Sequence, residues 1–377
     1  MCEYKDIPED IRQYFEYIVS LVEQSADEHP LKIAYRNKSS YFCNFADCMI
    51  HLHKELDDKN CNNLLIDKLQ LSKEYFHAEQ YYEAATEFSV ILFMYCIGHS
   101  KFDYEAPQKN GTDKQPECAV TCKSGRKFIA EAKCPVQRNK MQNKNDEKYM
   151  IFKSVGRADT KQAVKELLDI MNKDFSTQNV SVIQEKSSDN TMLDFLQSAS
   201  QKFSEKDCPD ELNILFVALN AVQQIQDWVN FFRFNKGFFT NNSFAADEPY
   251  CYADRKNEET YLESHFKNVH LIVFTNNYYR HKNYDKINGS AWYIREGFNY
   301  ILLNPFTCLE CKKDSIKEFC GYLPSYTKNI QDYKVPCTTN TPKDTFDSVK
   351  IIDYVKLELE KKQGLFYWEK NKRFLTS

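Results

Sequence analysis

Apolar residues recur at helical spacing through the first part of the chain. Ile11, Phe15, Ile18, Leu21 and Val22 fall three or four positions apart, the interval that gathers side chains on one face of a helix. Residues 1–75 therefore read as a polar helical segment, broken by the turn-like DDKNCNN at 57–63. A longer helix is expected from about Ser72 to Ile97, with Gly98 as its stop. Its second half, FSVILFMYCI at 88–97, is apolar almost all round and predicts burial. The period then changes from 3.6 to 2. KFDYEA at 101–106 sets Phe102, Tyr104 and Ala106 against Asp103 and Glu105. ECAVTC at 117–122 follows, and Lys123-Ser124-Gly125 turns the chain into KFIAEAK at 127–133, a hairpin. The polar stretch 138–150 reads as a loop, and 160–173 as an amphipathic helix with Val164, Leu167, Leu168 and Met171 on one face. Another helix is expected over 191–203. NILFVAL (213–219), VHLIVFT (269–275) and YILLN (300–304) are continuous apolar runs, the pattern of strands buried on both faces. The tail at 347–362 reads as a charged amphipathic helix. Helix, three strands, helix and further strands predict a mixed α/β sheet with helices on both sides.

Composition narrows the classes. With 377 residues and 42% hydrophobic content, the chain can bury a large core. The pattern suggests three units: a helical segment at 1–75, a sheet domain at 76–305, and an extension at 306–377. A net charge of −4 excludes a uniformly basic nucleic-acid binder. The longest apolar run is about half of a membrane span, so no membrane is expected. The opening MCEYKDIPED is acidic and lacks an apolar stretch, which argues against a secretory signal. The 14 cysteines then read as reduced thiols of a cytoplasmic protein. Locally the charge is different. Between Lys123 and Lys165 stand twelve Lys or Arg and four Asp or Glu. Such a concentration suits a phosphate-bearing partner, although runs of this kind are more often a solvated face. FFRFNKGFF at 231–239 offers rings for base stacking, but core or a hydrophobic flap is the commoner use.

The candidate chemistry lies at the hairpin. Glu-x-Lys occurs four times, at Glu3, Glu131, Glu310 and Glu360. Only Glu131-Ala132-Lys133 ends an apolar strand. Its partner strand opens with Glu117, fourteen residues earlier and preceded by Pro116. In an antiparallel hairpin the start of one strand lies beside the end of the other, so Glu117 and Glu131 are neighbours by topology. Two carboxylates held together need a proton, a cationic partner or a divalent cation. Lys133 is one partner. Mg²⁺ or Mn²⁺ is another, because a hard cation binds through one or two carboxylates and keeps waters for a phosphate substrate. The plainer alternative is a cross-strand ion pair on an exposed sheet face.

Pro116-Glu117 … Glu131-Ala132-Lys133 resembles the signature of the PD-(D/E)xK nuclease superfamily, the restriction-endonuclease-like fold. The order around it is similar to that family's αβββαβ core, over roughly residues 76–220 and extending towards 305. The resemblance implies a Mg²⁺-dependent nuclease acting on DNA. It implies metal ligation by Glu117 and Glu131 with the Ala132 carbonyl, a water-activating role for Lys133, and a helix carboxylate in Glu87. One departure is that Glu117 stands where Asp is usual. Asp113, eighteen residues before Glu131, is a rival first acid. The flanking segments would supply partner contacts or self-association, and a degenerate fold that binds without cutting is the alternative. Cys308, Cys311, Cys320 and Cys337 contain one close pair, but the later spacing is irregular for zinc. No Gly-rich phosphate loop, nucleophile elbow or HExxH is present.

Overall fold

The computed structural model describes residues 8–105, 115–135, 148–153, 169–171, 173, 180–185, 188–203, 208–219, 266–287, 289–297, 299–304, 307 and 311–323. Four helices lead: α1 (Glu9–Gln24), α2 (Pro30–Arg36), α3 (Ser40–Leu52) and α4 (Asp58–Asn62). The predicted stripe on α1 faces inward, with Ile18, Leu21 and Val22 buried. Ser39 caps α3 by accepting from the Tyr41 N–H, and Asp57 caps α4 by accepting from the Asn60 N–H. A π-helical turn, Asn63–Lys68, follows directly. The next helix, α5 (Ala78–Tyr95), starts later than the expected Ser72. Gln70 and Ser72 both take left-handed backbone, with φ of 58° and 56°, and His77 is extended, so no helix can run through them.

Among the described residues there are eight strands: β1 (His99–Tyr104), β2 (Cys118–Cys122), β3 (Lys127–Lys133), β4 (Lys148–Lys153), β5 (Val180–Glu185), β6 (Glu211–Ala218), β7 (Leu271–Thr275) and β8 (Asn299–Leu303). Helix α6 (Ser188–Lys202) precedes β6, α7 (Asn277–Lys282) follows β7, and α8 (Lys313–Tyr322) follows β8. Six strands form one mixed sheet in the order β1-β2-β3-β6-β7-β8. The β1-β2-β3 meander is antiparallel, β3, β6 and β7 are parallel, and β8 is antiparallel to β7. β4 and β5 make a separate parallel pair. The polar stretch expected to stay a loop to residue 150 thus ends in a strand from Lys148, because pairing with β5 satisfies its backbone. Of the helix expected at 160–173, residues 169–171 and 173 are helical and the remainder lies outside the described residues.

Alternation along β3 sorts the two faces of the sheet. Phe128, Ala130 and Ala132 join Ile214, Phe216 and Val273 in a core shared with α1, α3, α5 and α8. Phe93 of α5 and Phe319 of α8 meet Phe216 and Phe128 edge-on in that core. Ile129 and Glu131 point the other way, where α6 brings Lys202 to Glu131. The N-terminal helices are tied to the sheet layer by buried polar bonds. The Tyr41 hydroxyl bonds the Tyr81 hydroxyl and His281 Nδ1, both at 2.9 Å. His281 Nε2 meets Ser89 Oγ at 2.9 Å, and Trp292 Nε1 donates to the Tyr41 carbonyl at 2.8 Å. Burial holds the His281 pKa well below its ordinary value, so the imidazole is neutral and bonds through both nitrogens.

Candidate active site

The register of the meander builds the site. Cys118 pairs with Ala130 across β2 and β3, which sets Glu117 beside Glu131 at the next step. Tyr104 pairs with Cys118 across β1 and β2, and the Glu105 N–H donates to the Glu117 carbonyl at 2.9 Å. Glu105, Glu117 and Glu131 therefore stand in one row across three strands. Like charges directly opposite one another destabilise a sheet, so this row requires counter-charge.

Three lysines supply it. Lys133 Nζ lies 2.6 Å from Glu131 Oε1, and Lys202 Nζ, from the last turn of α6, lies 2.7 Å from the same oxygen. Lys202 also reaches Glu117 Oε1 at 3.9 Å. Lys68 Nζ, at the end of the π-helical turn, lies 3.3 Å from Glu117 Oε2, 3.7 Å from Glu105 Oε1 and 3.8 Å from Glu87 Oε2. The expected groups Glu87, Glu117, Glu131 and Lys133 are thus brought into one cluster. Glu105, Lys68 and Lys202 join them without having been foreseen. Ala132 lies between Glu131 and Lys133, with its methyl in the opposite core.

Burial decides the electrostatics. Glu131 has no solvent exposure, and its Oε2 has no hydrogen-bond partner. Desolvation raises the Glu131 pKa; Lys133 and Lys202 pull it down and Glu117 pushes it further up. Glu87 is raised to about 7, by burial first and then by Glu117, against the pull of Lys68 and Lys133. Burial works against the charge on Lys133, yet the adjacent Glu131 outweighs it and keeps the ammonium protonated. Lys68 is raised too, because Glu117, Tyr104, Glu87 and Glu105 outweigh its desolvation.

The donor set fits a hard divalent cation. It consists of carboxylate oxygens and one backbone carbonyl, with an orphaned carboxylate oxygen among them. Its present spacing belongs to ammoniums. Carboxylates 3.3–3.8 Å from Lys68 Nζ would have to close by more than an ångström to reach the roughly 2.1 Å of a Mg–O contact. Among the described residues no group of three or more His, Cys, Asp or Glu is gathered closely enough to hold a metal.

No family model, curated protein or solved structure matches the chain. Its functional reading rests on the cluster itself. Other expectations fall elsewhere. Asp113, the 231–239 aromatics, Cys308, Cys337 and the tail helix lie outside the described residues. Cys311 is disulfide-bonded, against the expectation of free thiols throughout, and a sulfur so engaged is not a zinc ligand. Part of the basic stretch is already paired: Arg126 with Glu318 and Lys127 with Glu211 at 3.6 Å. Among the described residues no helix is long and apolar enough to cross a membrane.

Proposed function

We propose that the chain is a divalent-cation-dependent endonuclease of the restriction-endonuclease-like type, hydrolysing DNA phosphodiester bonds. The observation that carries this reading is Glu131. It is a fully buried carboxylate with one orphaned oxygen and Lys133 Nζ at 2.6 Å on the other, placed beside Glu117 at the end of a central strand. The order α5-β1-β2-β3, followed after the separate β4–β5 pair by α6 and β6, with β6 parallel to β3, supports it. So does the basic stretch around the hairpin, which would draw a polyanion towards the site.

Mg²⁺ or Mn²⁺ held by Glu117, Glu131 and the Ala132 carbonyl, with Glu87 alongside, would supply a water of lowered pKa and neutralise phosphate charge. The chain's own groups do the remaining work. Lys133, held charged and oriented by Glu131, donates to the phosphate oxygen on which negative charge grows. Glu87, with a pKa of about 7 in the cation-free chain, can take up or release a proton at neutral pH.

The test is cleavage of supercoiled plasmid with Mg²⁺ or Mn²⁺. Glu131→Ala and Lys133→Ala are expected to lose on the order of 10²-fold or more in rate while remaining folded by circular dichroism. Undiminished cleavage by Glu131→Ala would overturn the assignment. A second reading is a nuclease-fold module that binds nucleic acid or a protein partner without cutting. It is favoured by one observation: Lys68, Lys133 and Lys202 already compensate most of the carboxylate charge. Salt-sensitive DNA binding by a chain that cuts with neither metal would decide for it.

A further inference from the structure

Lys68 contacts its carboxylates differently from the other two lysines. Lys133 and Lys202 grip Glu131 at 2.6 and 2.7 Å, ordinary lengths for a charge-assisted hydrogen bond. Lys68 is shared among three separate carboxylates: it donates a longer hydrogen bond to Glu117 Oε2 at 3.3 Å and lies 3.7 Å from Glu105 and 3.8 Å from Glu87. An ammonium so placed occupies the centre of an oxygen nest, as a bound cation would.

The backbone around it is built for that placement. Lys68 closes a π-helical turn, a rare geometry that collects at functional sites. Gln70 and Ser72 beyond it, and Glu105 on the facing strand end, are non-glycine residues in left-handed backbone, with φ of 58°, 56° and 44°. Hydrogen bonds pin the segment: the Leu69 carbonyl meets His29 Nε2 at 3.0 Å, and the Ser72 N–H donates to Ser25 Oγ at 2.8 Å. The main chain is fixed, so any exchange at the nest is made by the long lysine side chain. Adjoining the nest, Glu131 offers a wholly buried carboxylate oxygen with no partner.

We propose that Lys68 is a resident stand-in for a divalent cation. Glu87, Glu105 and Glu117 form a nest that takes the ion when the Lys68 side chain withdraws, with Glu105 as a ligand. The proposal rests on the metal-dependent reading above and adds to it one ligand and one competitor supplied by the N-terminal helices.

Mn²⁺ titration of the full chain by calorimetry, with thermal unfolding in chelator and in Mn²⁺, separates the outcomes. Lys68→Met removes the competing charge. It is expected to bind Mn²⁺ at least about tenfold more tightly than wild type. Its midpoint should lie below wild type in chelator, where three carboxylates lose their counter-charge, and recover as Mn²⁺ is added. A merely structural lysine would leave the midpoint low with or without the metal. Glu105→Gln keeps Lys68 and the fold and is expected to weaken Mn²⁺ binding by about tenfold. Equal or weaker Mn²⁺ binding by Lys68→Met, or unchanged binding by Glu105→Gln, overturns the proposal and leaves the nuclease reading standing. Tighter Mn²⁺ binding in Lys68→Met with no DNA cleavage by wild type keeps the nest and removes the nuclease. Absence of Mn²⁺ binding in every form removes both.

Discussion

Glu87 sits on α5 with its carboxylate 3.8 Å from Lys68 Nζ, and burial together with Glu117 lifts its pKa to about 7. The unfolded carboxyl titrates near 4.5. Between these values folded Glu87 holds a proton that the unfolded residue has released, so its contribution to stability falls as pH rises through the window and levels off above it. Glu87→Gln keeps the shape and removes the ionisation. In chelator the stability difference between Glu87→Gln and wild type should be near zero at about pH 4 to 5, grow through the window, and reach on the order of 1–3 kcal/mol in favour of the variant near pH 8. Urea midpoints of both proteins across that range measure the difference, and a gap between them that stays constant with pH would refute it. The same residue scale shows what the sequence could reveal. Glu117, Glu131 and Lys133 are legible because a tight hairpin converts short separations into contacts. Glu105 obeys the same register rule one strand further out, but the loop between β1 and β2 hides the pairing. Lys68 and Lys202 lie 49 and 71 residues from the carboxylates they bond. No local pattern marks either of them, because tertiary packing alone delivers them.

Among the elements, β3, β6 and β7 were legible for a physical reason. Central strands must be apolar on both sides, and runs such as ILFVA and LIVFT have no helical alternative at that length. The parallel β4–β5 pair was not, since a two-stranded unit off the main sheet leaves no long apolar run. The α5 boundary shifted because a left-handed Ser72 cannot be read from composition. The junction before β8 carries a further constraint. Gly297 has ordinary backbone, φ −98°, so its lack of a side chain matters only through space. A Cβ there would lie 2.7 Å from Oδ1 of Asn276, the residue that opens α7, and 3.0 Å from Cδ of Arg280 within α7, both of them buried. Gly297→Ala must push α7 away from β8. It is expected to cost about 1–3 kcal/mol, seen as a lowered thermal midpoint; a midpoint equal to wild type would show that the contact yields freely.

At the scale of the whole molecule, the N-terminal helices and the sheet are one folding unit. Phe45 of α3 packs edge-on to Phe88 of α5 and lies against Trp292, so a single aromatic stack joins α3, α5 and the segment leading into β8. The buried Tyr41–His281–Ser89 chain crosses the same boundary, and each of its bonds would be left unmade if one side were removed. Helix α5 is apolar on the side facing the leading helices as well as on the side facing β2 and β3. A truncated chain beginning at residue 76 would therefore expose a wide apolar surface on α5, leave His281 Nδ1 without its hydroxyl, and deprive Glu87, Glu105 and Glu117 of Lys68. Such a chain is expected to keep much of its far-ultraviolet dichroism and lose its near-ultraviolet signal, to bind a hydrophobic dye, and to unfold without a cooperative transition. A sharp calorimetric transition in the truncated chain, with wild-type enthalpy per residue, would show instead that the sheet carries its own core. In that case Lys68 would reach the carboxylates from a separable unit rather than from a part of the same fold.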